Sequence, residues 1–335
     1  MILKITYLTL LVFSLNLYSE TSVENKNKRL NELSFSINPS IVKVHTANKQ
    51  GNHGVGSGVV VAKDHVVTNC HVIADAKGIH VTKYGVSYPP YALLADWRHD
   101  LCILKFEYLK LKPVTLASNN KLDYETEVFA KSYGGNTVKP HTTIGAVKGV
   151  FDLNGYKIIQ SSAWFSLGAS GGGLFNDKGE LIGVTTFKTP GNSGSFYSVP
   201  VEVIKKMLED NKELSITTAA ESPFWDAPEK KLPFFMQVVG PIKKENWVKL
   251  KKISIKWIAN KPGSYEAEYH LGLANYHLGK LKEAKVSLDR VIKINNKHLQ
   301  AYLYLYEIAK SQGKNQEMDN YKKVVISLNG SLLDD

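Results

Sequence analysis

Val66-Val67-Thr68-Asn69-Cys70-His71-Val72 is a short β-branched run that stops at an asparagine and is followed at once by a cysteine and a histidine. Runs of this kind recur on both sides of it: 41–45, 58–62, 101–106, 127–130, 144–150, 157–160 and 181–186, each broken by glycine, proline, asparagine or aspartate. Short β-branched segments at this spacing predict an all-β barrel or sandwich from about Ile41 to Pro200. After Ser198-Val199-Pro200 the period changes. Val201, Val203, Ile204, Met207 and Leu208 recur at helical spacing, with proline where a helix start tolerates it. A helix is therefore expected to close the first domain, giving boundaries of 20–214.

Residues 215–231 are polar, contain Pro223 and Pro228, and read as a linker. The remainder, 232–330, has helical periodicity. Tyr265 to Asn296 aligns with Leu299 to about Leu328 at a period near 34 residues. In the first copy Leu271, Gly272, Tyr276, Gly279, Ala284, Leu288 and Val291 resemble the packing positions of a tetratricopeptide (TPR) repeat. The second copy is looser, with Tyr302, Leu305, Ala309, Gly313, Met318, Tyr321 and Val325 in related positions. A degenerate earlier copy is expected from Lys231 to Pro262.

With 335 residues, 43% of them hydrophobic, the chain is long enough for two domains and too apolar for general disorder. Residues 1–19 carry Lys4, an apolar run from Ile5 to Leu17, and then small polar residues, a signal-peptide pattern. The run falls short of the roughly 20 residues that span a bilayer, so export with cleavage near Ser19 is expected, to the periplasm or outside the cell, with no membrane span afterwards. The formal charge is +11, but the lysines are scattered, without the arginine-rich stripe or zinc-finger spacing of a nucleic-acid reader. The densest cluster, Lys243 to Lys256, interleaves with Trp247, Leu250, Ile253 and Trp257 as the solvated face of an amphipathic helix would.

Three segments carry candidate chemistry. His71 follows the opening run, His99-Asp100-Leu101-Cys102-Ile103-Leu104 sets an aspartate before an apolar strand, and Gly168-Ala169-Ser170-Gly171-Gly172 flanks a serine with glycines. A neutral hydroxyl is a poor nucleophile and needs a base. Histidine suits that exchange, and a buried carboxylate fixes its tautomer and stabilises the imidazolium. His71, Asp100 and Ser170 are the candidates. Asp96 is the rival to Asp100, but no apolar strand follows it.

Gly56-Ser57-Gly58-Val59-Val60, Val66 to Val72, Asp100 to Lys105 and Ser170-Gly171-Gly172, with Thr143 to Val147, Ile159 to Ala163 and Leu181 to Val184, resemble the HtrA-type branch of trypsin-like serine peptidases. The resemblance covers about Ser40 to Asn211. It implies a double six-stranded antiparallel barrel with His71 and Asp100 on the first barrel, Ser170 on the second, and an oxyanion hole from the backbone N–H groups of Gly168 and Ser170. Ala169 stands where the branch usually has asparagine, and helical repeats stand in place of its PDZ module. Counting back from Ser170, Trp164 falls at the base of the primary substrate pocket, with Thr186, Phe187 and Lys188 as one wall. Nothing acidic lies at the base, so a small or apolar side chain is expected there. Trp164 equally fits an ordinary core aromatic.

A working triad would bring Cys70 and Cys102 into one neighbourhood. Three readings stay open for them: a disulfide, free buried thiols, or a zinc site with His71 and His99 that would consume the base. The sequence thus points to a multi-domain exported serine endopeptidase acting on protein or peptide substrates without cofactor or metal, with helical repeats whose groove binds a partner or substrate. The other reading is a catalytically silent scaffold whose repeats carry the function. The oligomeric state leaves no trace in the sequence.

Overall fold

The computed structural model describes residues 28–118, 122–134, 137–189 and 195–328, so the apolar leader expected at 1–19 lies outside the described residues. After helix α1 (28–37) comes an antiparallel sheet. It consists of β1 (Ile41–Ala47), β2 (His53–Ala62), β3 (His65–Thr68), β4 (Gly78–Lys83), β5 (Val86–Tyr88), β6 (Ala92–Asp96) and β7 (Leu101–Lys105), with a single helical turn, α2 (Cys70–Ile73), after β3. The strand order β5-β4-β1-β2-β3-β7-β6 is open at its ends. The first half therefore has seven strands in an open order where a closed set of six was expected. At one edge lies the short β4–β5 hairpin, where the buried Lys83 blurs the alternation of Ile79 and Val81.

The second half closes. β8 (Glu127–Ser132), β9 (His141–Leu153), β10 (Tyr156–Ser161), β11 (Gly173–Asn176), β12 (Leu181–Lys188) and β13 (Phe196–Pro200) form a six-stranded barrel in the order β10-β13-β12-β11-β8-β9. β-Branched and aromatic side chains make these strands, and they are buried on both faces: Phe129, Ile158, Phe175 and Leu181 belong to one core, Ile159 and Leu174 to another. Helix α3 (Val201–Asp210) follows Pro200 directly and ends at Asn211 in the left-handed region, φ 43°.

The polar stretch 215–231 stays on the barrels. Leu214 bridges to Leu93, and Phe224 is buried at 7% exposure with its N–H donating to Arg98 O at 3.0 Å. The helices follow: α4 (Phe234–Gln237), α5 (Val239–Lys243), α6 (Trp247–Asn260), α7 (Tyr265–His277), α8 (Leu281–Ile294), α9 (Leu299–Ser311) and α10 (Asn315–Leu328). Starts at Tyr265 and Leu299, and at Leu281 and Asn315, are each 34 apart, so α7–α8 and α9–α10 are two copies of one hairpin. Gly272 permits the close approach within the first copy, because a Cβ there would meet Leu288 Cγ at 2.8 Å. In the earlier copy α6 keeps its place, but the preceding helix is broken into α4 and α5 beside Gly240-Pro241, since proline removes one helical hydrogen bond and clashes with the turn before it. The lysines of α6 lie partly or fully on its solvent side, while Leu250, Ile253 and Trp257 face inward.

Aromatics join the barrel to the helices. Phe151 on β9 stacks on Phe235 with centroids 4.7 Å apart, Tyr197 on β13 lies 5.6 Å from Phe235, and Asp152 pairs with Lys157 and Lys261. Farther along, Tyr124 stacks on His298 at 5.3 Å. Burial pushes both His270 and His298 down to about 4 from 6.5. His298 Nδ1 also accepts the Ala301 N–H at 3.1 Å, capping α9, which requires a deprotonated nitrogen. The sign follows directly: between about pH 6.5 and 4 the unfolded chain binds more protons than the folded one, so stability falls as pH falls through that window and levels off below it. The unfolding midpoint should drop between pH 7 and pH 4.5. His298→Asn, which keeps a cap acceptor but cannot titrate, should flatten that dependence.

Candidate active site

The site is assembled where β3 ends. Thr68 and Asn69 turn the chain into α2, so that His71 emerges from the first turn, while Asp100 sits at the head of β7. Asp100 occupies the left-handed region, φ 60°, which aspartate tolerates better than most residues. Its carboxylate is fully buried and meets His71 twice. Oδ1 accepts the His71 backbone N–H at 2.8 Å, and Oδ2 lies 2.6 Å from Nδ1. The first bond satisfies a donor at the start of α2, and the second holds the imidazole with Nε2 free to act as base. His71 keeps 30% of its side chain exposed.

Ser170 comes from the other barrel. The turn that carries it is held by Gly171 N–H to Thr185 O at 2.9 Å, Thr185 N–H to Gly172 O at 2.8 Å, and Thr185 Oγ1 to Ala169 O at 2.8 Å. Ser57 on β2 clamps it to the first barrel. The Ser57 N–H donates to Ser170 O at 2.8 Å, and its hydroxyl donates to Gly168 O at 2.9 Å while accepting the Tyr133 N–H. Gly168, at φ 85°, takes a backbone conformation that a side chain would strain. Among the described residues, the N–H groups of Gly168 and Ser170 donate to no backbone carbonyl. The Ser170 hydroxyl donates to Thr186 O at 3.5 Å, and Thr186 Oγ1 accepts from Asn69, whose amide also donates to Asp100 O at 2.9 Å. Asn69 and Ser57, quoted in the motifs but given no role there, thus tie the base, the carboxylate and the serine into one network.

The alternatives left by the sequence resolve. Asp96 accepts from His99, with Nδ1 to Oδ2 at 2.7 Å, and so orients a different histidine. Cys70 and Cys102 are bonded to each other with Cα atoms 4.9 Å apart, which overturns both the free-thiol and the zinc readings. That bond closes a loop across 32 positions, worth about 3–4 kcal/mol in the chain-entropy account, and braces the His71 turn against the Asp100 strand. Trp164 is 53% exposed, with its ring 6.0 Å from His141, so it is no ordinary core aromatic. Phe187 stacks on Tyr197 at 4.7 Å, and with Lys188 it borders a cleft of about 620 Å³ reaching to Met236 and Pro241.

One residue at the site lay outside every motif. Trp225, in the stretch 215–231, sets its indole N–H 2.9 Å from Asp100 Oδ2 and its ring edge-on to His71, with centroids 5.3 Å apart. A tryptophan between prolines in a polar segment has no periodicity to mark it.

Against known proteins, residues 56–184 match the family model of the trypsin-like peptidase domain. The barrel half of this chain is a trypsin-like peptidase domain. The peptidase domain is 32% identical over 171 residues to the probable periplasmic serine endoprotease DegP-like of Buchnera aphidicola, covering 48% of this chain and 37% of that protein. It is likewise 32% identical over 171 residues to the periplasmic serine endoprotease DegP of Salmonella typhimurium, covering 48% and 36%. Serine protease HTRA1A of Danio rerio is 28% identical over 167 residues, covering 47% and 34%. These relatives are named DegP and HTRA serine proteases, the branch that the motifs resemble. The chain spans little more than a third of the length of these relatives. No helix among the described residues is long and apolar enough to cross a membrane.

Proposed function

We propose that this chain is an exported serine endopeptidase that hydrolyses peptide bonds in protein substrates. The observation that carries the reading is the buried Asp100 carboxylate holding His71 Nδ1 at 2.6 Å, in one hydrogen-bonded network with a glycine-flanked Ser170. The Ser170 hydroxyl attacks the scissile carbonyl carbon as His71 Nε2 takes its proton. The resulting oxyanion is received by the N–H groups of Gly168 and Ser170. As the C–N bond breaks, His71 returns the proton to the leaving amine, and water then releases the acyl group by the same base in reverse. In this reading the Ser170 hydroxyl gives up its long 3.5 Å contact with Thr186 O to donate to the imidazole, a tightening that substrate binding commonly brings.

Trp164, Thr186, Phe187 and Lys188 line the substrate pocket in this reading, which accepts a small or apolar side chain. The α7–α8 and α9–α10 hairpins are TPR-like units that present a groove to a partner or substrate. Export to the periplasm accords with the apolar leader and with the printed names of the DegP relatives. The test is cleavage of an unfolded protein and of a peptide library by the full chain. Turnover should appear in the wild type and be lost in Ser170→Ala. Equal turnover by both would sink the assignment of the nucleophile.

A further inference from the structure

We infer that Trp225 is a positioning residue of the triad, so that the segment joining the barrels to the helices completes the active centre. The inference rests on the peptidase reading above and concerns the acceptor balance of one buried carboxylate. Asp100 Oδ1 takes one donor, the His71 backbone N–H, whereas Oδ2 takes two, His71 Nδ1 and the indole N–H of Trp225. With the carboxylate at 0% exposure, solvent supplies none of its bonds. Thr186 Oγ1, on the neighbouring strand β12, is committed to Val184 O at 2.8 Å and to Asn69. The third donor therefore comes from a residue 125 positions along the chain.

Trp225 is itself held. Its neighbour Phe224 is buried, bonds to Arg98 O, and meets Phe187 edge-on at 5.5 Å, while the Trp225 ring lies 6.1 Å from Phe187. On the far side, Glu229 pairs with Lys249 of α6. Two consequences follow. The indole N–H fixes the plane of the carboxylate and with it the imidazole, because a carboxylate with three directed donors has little freedom to rotate. The indole ring forms a wall of the cleft beside His71 and Phe187, so its loss alters substrate contact as well.

These two roles separate experimentally. Replacing Trp225 site-specifically with benzothienylalanine keeps the ring and substitutes sulfur for N–H. It should lower kcat about ten- to hundredfold with KM nearly unchanged, the range expected when a hydrogen bond to a charged group is lost. Trp225→Phe should lower kcat similarly and raise KM. A readout independent of turnover is the downfield proton resonance of the His71–Asp100 hydrogen bond, recorded on the full chain carrying Ser170→Ala. It should shift in the benzothienylalanine protein. A resonance left in place, or a kcat unchanged in that protein, would overturn the inference. A wild type that never turns over would instead overturn the peptidase reading, with the resonance still deciding the role of Trp225.

Discussion

Asp100→Asn is expected to lower kcat for peptide hydrolysis on the order of 10⁴-fold while leaving the chain folded. The fold survives because asparagine is among the few residues that tolerate the left-handed conformation found at position 100, φ 60°. The chemistry does not, because the carboxylate accepts at both oxygens and the amide accepts at only one. With the amide oxygen at the Oδ2 position it still receives Nδ1 and the Trp225 indole, but its NH₂ then confronts the His71 backbone N–H. In the opposite orientation the oxygen serves the backbone N–H, and the NH₂ faces the indole N–H and Nδ1. That orientation leaves one buried donor unpaired and drives the imidazole to the tautomer with its proton on Nε2, which cannot act as base. The first orientation keeps the tautomer but removes the charge that stabilises the imidazolium, and the second removes the base itself. Steady-state kinetics beside a thermal melt would check both halves, and near-wild-type turnover in a folded variant would remove Asp100 from its assigned role.

Gly171→Ala is the second large effect. A Cβ at this position would stand 2.1 Å from Ser57 O and 2.5 Å from Thr68 Oγ1, and the residue sits at φ 88°. The first obstacle is backbone of the strand that clamps the nucleophile turn, so neither side can relax without moving Ser170. We expect a loss of about 3 kcal/mol or more in unfolding free energy, combining overpacking with backbone strain. Molecules that remain folded should lose at least about a hundredfold in activity, because the nucleophile is displaced. Gly155→Ala makes the control. Position 155 has a similar φ of 90° with nothing within 4 Å, so it should cost only about 1–2 kcal/mol and leave activity alone. Urea unfolding of the pair separates clash from conformation, and equal costs would show that the crowding at Ser57 is not the cause.

Much of this molecule is legible residue by residue. The β-branched runs fall on β1, β2, β3, β7, β8, β9, β10 and β12, because strands buried on at least one face must be written in such residues. The change of period at Pro200 marks α3, and the 34-residue spacing marks the two hairpins. The sequence names His71 and Asp100 together because the chemistry limits which residue types can serve, and the structure sets them 2.6 Å apart. What escaped reading has no local signature. In the short β4–β5 hairpin, β4 ends on Lys83, a buried lysine whose ammonium donates to Ile41 O at 2.7 Å, which breaks the polar-apolar alternation that reveals strands. The disulfide between Cys70 and Cys102 was among the readings the sequence offered, and what decides it is the Cα placement of α2 against β7, which spacing alone does not measure. The stretch 215–231 has the composition of a linker, yet its aromatics dock on the barrels. Its anchor points, Arg98 O and Asp100, are distant in sequence and show no pattern that composition can reveal.

In the proposed mechanism Ser170 is a nucleophile activated by His71 and Asp100. That role is tested most directly by exposing the full chain to a fluorophosphonate probe and locating the adduct by peptide mass spectrometry. A single adduct on Ser170 is expected in the wild type, absent from Ser170→Ala and slowed by orders of magnitude in Asp100→Asn. A folded wild type that never labels, or one that labels equally well with Ser170 removed, would contradict it.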